Sequence, residues 1–142
     1  MLHMSEKNNN YKHMKTRVTG LGGIFFKTKD SKATKAWYAK HLGLPVDDYG
    51  CTFWWTDQNG KDASTQWSPV KVDTSYFEPR KQPFMINYRV ENLNDLITVL
   101  RSEGVTIVGE IQTFDYGKFA WILDPEGNKI ELWEPIDSAF KK

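Results

Sequence analysis

The feature that most constrains this chain is a pair of tryptophan-containing motifs that occurs twice. Both copies contain Phe-x-Trp, then eleven residues, then Trp-x-Pro. The matching segments are residues 53–55 with 119–121 and 67–69 with 133–135, both at an offset of 66, and residues 48–50 with 115–117, at an offset of 67. With six tryptophans among 142 residues, chance does not place all of these matches in the same order. Self-similarity at one period indicates two copies of one structural unit.

Each copy starts with a strand and a helix. Residues 18–29 form an apolar run typical of a buried strand, and residues 31–41 carry apolar side chains at helical spacing. In the second copy, residues 84–90 predict a strand and residues 93–103 predict an amphipathic helix. A glycine follows each helix, as is common at helix C-termini. Turn sequences then separate further strands, so each copy is predicted to be a β-α-β-β-β module.

These elements divide the chain into two modules and three connecting or terminal segments. Module 1 is predicted over residues 17–70 and module 2 over residues 82–136, with a linker over residues 71–81. Residues 1–16 lack hydrophobic periodicity and are predicted to be a mobile N-terminal tail, whose two histidines are given no catalytic role. Residues 137–142 are predicted to be a C-terminal tail. Residues 17–136 are therefore expected to form a single domain.

Charge and composition exclude several classes of partner. Nineteen basic and eighteen acidic residues leave a net charge of +1, which gives no electrostatic reason to expect nucleic acid or an anionic membrane surface. Cys51 is the single cysteine, so no internal disulfide can form. The chain has no signal-peptide pattern and no apolar run long enough to span a bilayer, so we expect a cytoplasmic protein. A homodimer is the ordinary default for small proteins of this kind.

Two segments resemble a known family. Residues 121–135 (WILDPEGNKIELWEP) are similar to the closing hairpin of the glyoxalase/bleomycin-resistance/dioxygenase superfamily, also called the vicinal oxygen chelate superfamily. Residues 30–44, with Trp37-Tyr38 before Leu-Gly-Leu, are similar to its first helix, and the resemblance covers residues 18–135. It implies an α+β fold in which two tandem β-α-β-β-β modules form a curled mixed sheet with a cleft and with helices on the outer face. Members include metal-dependent isomerases, lyases and extradiol dioxygenases, and also metal-free proteins that sequester antibiotics.

The resemblance also implies where a metal site would lie. In metal-using members each module gives one ligand from its first strand and one from its last, normally His, Glu or Gln. The corresponding first-strand residues here are Gly23 and Met85, and the last-strand residues are Glu131 and Thr65, or Gln66 after a slip of one residue. Glycine and methionine offer no side-chain donor to a hard divalent ion. We therefore expect no metal and no cofactor, with Glu131 and Gln66 as ligands only if an atypical site exists.

Strand alternation predicts which side chains share the cleft. One wall is predicted to carry Phe119, Trp121, Glu131 and Trp133, the other Phe53, Trp55, Thr65 and Trp67, and the first strands Phe25, Met85, Asn87 and Arg89. Such a surface suits a flat, apolar or cationic small molecule oriented by Glu131, Asn87 and Arg89. The plainer alternatives are that the aromatic rings fill a core, and that Glu131 pairs with Arg89 across the sheet.

Three functions remain open at this point. The leading hypothesis is a metal-free or atypical member of the superfamily that binds a small aromatic, apolar or cationic molecule. The second is a glyoxalase-like lyase or isomerase with Glu131 as general base or metal ligand. The third is a non-enzymatic dimeric subunit that pairs through its tryptophan-rich face.

Overall fold

A computed structural model of the chain describes residues 17–142, so the predicted tail over residues 1–16 lies outside the described residues. Residues 17–142 form seven strands, two α-helices and one short 3₁₀ helix. In chain order these are β1 (Val18–Thr28), α1 (Ser31–Leu42), β2 (Cys51–Thr56), β3 (Asp62–Lys71), β4 (Phe84–Val90), α2 (Leu93–Ser102), β5 (Ile107–Phe114), β6 (Gly117–Leu123), β7 (Lys129–Pro135) and the 3₁₀ helix Asp137–Phe140.

All seven strands belong to one mixed sheet, in the order β2-β3-β1-β4-β7-β6-β5. In each half the first strand runs parallel to the last, and β1 and β4 pair antiparallel where the halves meet. The predicted α+β class and mixed sheet are confirmed. The sheet was predicted to be curled, but it is not strongly curled, because β1 and β4 pair where the two units meet and all seven strands form one continuous sheet.

The first half has one strand fewer than predicted. It reads β-α-β-β, whereas the second half reads β-α-β-β-β. Residues 43–50, which follow α1, form no strand. Pro45 lacks a backbone donor, and the Asp47 carboxylate accepts hydrogen bonds from the backbone N–H groups of Tyr49 and Gly50. This segment is therefore a turn and cannot extend the sheet.

Both helices pack on the sheet face opposite the candidate site, but they bury very different amounts of surface. In α2, Leu93, Leu96 and Ile97 are buried against Ala120 and Leu132 of the sheet. The helix α1 has no buried residue, although its two ends are well formed. The Asp30 side chain accepts from the N–H of Ala33 at the N-terminus, and Gly43 adopts φ +70° at the C-terminus.

A second cluster of buried side chains lies on the other face of the sheet. It contains Phe77, Met85 and Trp121, with Phe25 and Val70 packed against it. Phe77 has no exposed surface, although it belongs to the segment 71–81 predicted as a linker. Among the described residues, no helix is long and apolar enough to cross a membrane.

Candidate functional site

One row of residues crosses the whole sheet on the face away from the helices. Each strand contributes one member, and consecutive members are register partners on neighbouring strands. From β2 to β5 this central row is Thr52, Gln66, Gly23, Asn87, Glu131, Trp121 and Val108. Because register partners point to the same face of a sheet, the row brings polar side chains from both halves together.

Glu131 is the charged residue of the row, and only 2% of its surface is exposed. Its Oε1 accepts from Asn87 Nδ2 at 2.7 Å, and its Oε2 accepts from Trp121 Nε1 at 2.8 Å and from the Tyr76 hydroxyl. Burial, together with the negative charge of Glu131, raises the pKa of Tyr76 above its usual range, so this hydroxyl stays a donor. Three protein donors thus compensate the buried carboxylate.

Lys129 lies beside this network. Its Nζ donates to the Tyr76 carbonyl oxygen at 2.8 Å and stands 5.0 Å from the Tyr76 ring centroid and 5.6 Å from that of Trp121. Burial lowers the pKa of Lys129, while the nearby charge of Glu131 opposes that shift. Lys129 and Glu131 therefore form a partly buried pair of opposite charges at one end of the site.

On the first half, the row is also held by hydrogen bonds. Gln66 Oε1 accepts from the Thr52 hydroxyl at 2.9 Å, and Gln66 Nε2 donates to the Ser64 hydroxyl at 3.2 Å. Asn87, which is 2% exposed, retains one buried acceptor, Oδ1, without a partner among the described residues. This oxygen lies against Gly22, where an added Cβ would be only 2.0 Å away.

A cavity of about 890 Å³ opens over this row, within the size range of small-molecule sites. Its second-half wall is aromatic. The ring of Phe119 lies nearly parallel to those of Trp121 and Trp133, with centroids 6.4 and 5.9 Å apart and interplanar angles of 17° and 12°. The rings of Tyr116 and Phe114 continue this wall.

The first-half wall is more polar. It includes Asp47, Tyr49, Thr52, Gln66 and Ser68, so the two walls of the cavity differ in chemistry. A flat molecule could stack on one wall while its polar edge faced the other.

A family model described as Glyoxalase/Bleomycin resistance protein/Dioxygenase superfamily matches residues 20–132. The chain belongs to this superfamily. No curated protein sequence matches it. The match covers both halves and every residue of the central row.

Solved structures support the fold assignment. The methylmalonyl-CoA epimerase of Mycobacterium tuberculosis is 24% identical, with a TM-score of 0.59 over 86% of this chain and 91% of that chain. A variant of the Streptomyces coelicolor methylmalonyl-CoA epimerase, in complex with 2-nitronate-propionyl-CoA, is 14% identical, with a TM-score of 0.64 over 84% and 99% of the two chains. A hypothetical protein from Bacillus halodurans is 14% identical, with a TM-score of 0.54 over 80% and 92%. At these identities the likeness concerns the fold alone.

Of the residues predicted at the superfamily's metal-ligand positions, Gly23, Glu131 and the alternative Gln66 lie on the central row, whereas Met85 and Thr65 do not. Asn87 is the member of the row that β4 contributes. Met85 pairs with Phe25 instead and lies in the buried cluster. Across residues 17–142 no group of three or more His, Cys, Asp or Glu side chains gathers in a way that could hold a metal ion.

The structure gathers eight of the predicted site residues around the cavity and leaves five outside it. Those that line the cavity are Phe25, Gln66, Asn87, Phe119, Trp121, Glu131 and Trp133, together with Trp67, whose ring nevertheless packs against Tyr38 of α1. Those that do not line it are Phe53, Trp55, Thr65, Met85 and Arg89. The predicted wall of the second half is thus assembled as expected, whereas that of the first half is not, and the binding role of the eight remains a prediction.

The predicted first-half wall is not assembled because the 66-residue alignment places β3 one residue out of register. Aligned at 66 residues, Trp67 matches the cleft-facing Trp133, but the Trp67 ring packs against Tyr38 of α1 and Phe26, with centroids 4.8 and 5.4 Å apart. A shift of one residue moves every side chain of a strand to the other face. The cleft positions of β3 are therefore filled by Gln66 and its alternate neighbours.

Arg89 lies near the site but pairs with Asp137, not with Glu131. Its Nη1 and Nη2 donate to the two carboxylate oxygens of Asp137 at 2.8 and 2.7 Å, and its guanidinium lies 5.4 Å from the ring centroids of Trp55 and Trp133. The alternative pairing of Arg89 with Glu131 is therefore wrong. Asp137 belongs to the 3₁₀ helix, within the segment predicted as a C-terminal tail.

Proposed function

We propose that this protein binds a flat, largely apolar small molecule in the cavity above the central row, without the divalent metal used by other members of the superfamily. The observation that carries the proposal is the near-parallel ring set of Trp121, Phe119 and Trp133, which forms one wall of a cavity of about 890 Å³. These side chains do not fill the cavity between the two walls. A bound aromatic ring would extend the existing stack.

The hydrogen bonds of the row support the metal-free part of the proposal. Gly23 has no side-chain donor, and the Oε1 of Gln66 is engaged by Thr52. Both oxygens of Glu131 already accept from protein donors. Metal affinity needs several donors in suitable geometry at once, and this set of side chains does not fit a standard divalent ion.

The aromatic wall offers enough free energy for weak binding by stacking. Fully burying one large aromatic side chain is worth about 1.5–3 kcal/mol, and favourable ring–ring geometry adds about 0.5–1.5 kcal/mol. Trp121 and Trp133 are already only 7% and 1% exposed, so a ligand gains mainly by covering Phe114 and Tyr116, which are 42% and 39% exposed. Part of this gain is offset by lost ligand freedom, so stacking alone gives about millimolar affinity before any polar contact is added.

Tryptophan fluorescence and calorimetric titration with bicyclic aromatic compounds test the proposal. Phe119→Ala removes the middle ring of the stack and should weaken binding about tenfold or more. Phe53→Ala is the matched control, because Phe53 is 45% exposed and lies outside the cavity lining, so its binding should remain unchanged. Absence of binding across the compound set, or equal weakening by both variants, would contradict the proposal.

An acid–base enzyme is a second candidate, favoured by the contact between the Tyr76 hydroxyl and Glu131 at the cavity. A carboxylate next to a protonated phenol is a pair that can take and return a proton. Two of the structural neighbours are named methylmalonyl-CoA epimerases, which fits such chemistry for this candidate. Exchange of a substrate C–H proton with D₂O, lost in Glu131→Gln with binding retained, would support the enzyme. If the native protein binds the substrate without exchanging its C–H proton, the enzyme candidate is rejected and only the binding function stands.

A further inference from the structure

We propose that the cavity selects planar aromatic cations over neutral molecules of the same shape, and that Glu110 is the residue that determines this specificity. The inference rests on the proposed binding function and adds the charge of the ligand and a residue that the sequence did not indicate.

Glu110 is presented by an irregularity in the edge strand β5. Val108 pairs with Trp121 and Gln112 pairs with Phe119, so three residues of β5 lie opposite Ala120 alone. Gly109 accommodates the extra residues with φ +73°. Such bulges are frequent beside functional sites, where they redirect a side chain.

The bulge brings Glu110 to the aromatic wall. Glu110 lies between the partners of Trp121 and Phe119 and lines the cavity, whereas the next residue, Ile111, packs against the core under α2. Glu110 is exposed, and its side chain makes no hydrogen bond or ion pair with any described residue. Its charge is therefore free to act on a ligand stacked on these two rings.

The charged side chains around the cavity carry more negative than positive charge. Three carboxylates line it, on Asp47, Glu110 and Glu131, and within the described part of the chain Lys129 is the single basic side chain of the lining. Lys129 lies close enough to Glu131 for the two charges to influence each other. Asp47 pairs with Lys142, whose Nζ lies 4.0 Å from the Asp47 carboxylate, so Glu110 is the carboxylate that leaves an excess of negative charge, which attracts a cation into a partly desolvated cleft.

The aromatic rings at the cavity also favour a cationic ligand. The faces of aromatic rings carry negative potential and attract cations, and tryptophan does so most strongly. The Glu110 carboxylate and the ring faces therefore both favour a positively charged group.

The test compares two molecules of nearly the same shape, isoquinoline and N-methylisoquinolinium, with 2-naphthoate as the anion. Affinities are measured by calorimetry at pH 8, in low and in high salt. The cation should bind about tenfold tighter than the neutral compound at low salt, and its advantage should shrink at high salt. Glu110→Gln should reduce the affinity for the cation about fivefold and leave that for isoquinoline unchanged. Glu91→Gln, an exposed carboxylate outside the cavity lining, should change neither.

The outcomes separate this inference from the proposed function. Equal binding of the cation and the neutral compound would overturn the charge selection while the binding function stands. Absence of binding by all three compounds would remove the proposed function itself. Equal weakening of cation and neutral compound by Glu110→Gln would overturn the assignment of specificity to Glu110.

Discussion

Replacing Asp137 by asparagine removes the negative charge from an ion pair that fastens the C-terminal segment to the sheet. The Arg89 guanidinium donates to both carboxylate oxygens of Asp137 and also to the Ser64 carbonyl oxygen at 3.0 Å. The two side chains are 7% and 15% exposed. Removing one partner of a buried pair costs about 3–5 kcal/mol, because the remaining charge stays buried. Asparagine keeps one acceptor, so we expect the free energy of unfolding to fall by about 3 kcal/mol.

Urea denaturation at pH 7 measures this loss. The matched control is Asp62→Asn, because Asp62 pairs with Lys141 through side chains that are 60% and 53% exposed. Exposed pairs contribute about 0–1 kcal/mol, so the control should be nearly as stable as the native protein. Equal effects of the two substitutions, or a loss below about 1 kcal/mol for Asp137→Asn, would refute the reasoning.

The same pair predicts a pH dependence. Burial alone would raise the pKa of Asp137, but hydrogen bonds from Arg89 and Ser64 outweigh it, and the net pKa lies below the usual value. A carboxylate with a lowered folded-state pKa contributes stability above its unfolded pKa, about 3.9, and loses it as the pH falls through the folded value. The difference between native protein and Asp137→Asn should therefore be largest near neutral pH and shrink in acid below that range. A difference that grows on acidification would contradict the assigned pair.

Three further predictions concern the central row. Tyr76→Phe removes one donor from the buried Glu131 and should lower the free energy of unfolding by about 1.5–3 kcal/mol in the same denaturation assay. Tyr116→Phe is the control, because the Tyr116 hydroxyl makes no hydrogen bond to a described residue, and it should change the free energy of unfolding by less than about 0.5 kcal/mol. Gly22→Ala would place its Cβ 2.0 Å from Asn87 Oδ1 and should cost about 1–3 kcal/mol, with a weaker ligand response in fluorescence titration. Zinc, nickel or manganese ions should leave the thermal midpoint unchanged, and a midpoint that rises with metal concentration would contradict the metal-free proposal.

The sequence predicted the second half of the site better than the first. The hairpin around residues 124–128 has an unambiguous turn, and the side chains predicted to share one wall are register partners on β6 and β7, Trp121 with Glu131 and Phe119 with Trp133. In the first half the tryptophan match suggested an offset of 66 residues. The weaker match of Asp-Tyr-Gly, at 67, agrees with the geometry.

Two glycines show why 67 is the structural offset. Gly50 and Gly117 have φ values of +145° and +133°. An added Cβ at Gly50 would lie 2.0 Å from the carbonyl oxygen of Trp67, and one at Gly117 would lie 2.3 Å from that of Glu134. Trp67 thus corresponds to the helix-facing Glu134 and not to Trp133. Backbone contacts fixed by glycine were a better guide to register than large side chains, which can serve on either face of a sheet.

Long-range contacts were not predictable from the sequence. Tyr76 and Asp137 reach the centre of the sheet from segments without strand or helix periodicity, and no local pattern connects them with Glu131 and Arg89. Glu110 depends on a bulge, which a single sequence does not reveal except through the conformational freedom of Gly109. Spacing predicts neighbours within a strand or hairpin, whereas these contacts join positions that are tens of residues apart.

The contrast between the two helices has a consequence for how the native protein opens. With no buried residue in α1 and three in α2, detaching α1 exposes little apolar surface. Regions with few buried contacts undergo local unfolding at low free energy. Amide hydrogens of α1 should therefore exchange with solvent well before those of α2, so the first half of the protein is expected to open locally before the second.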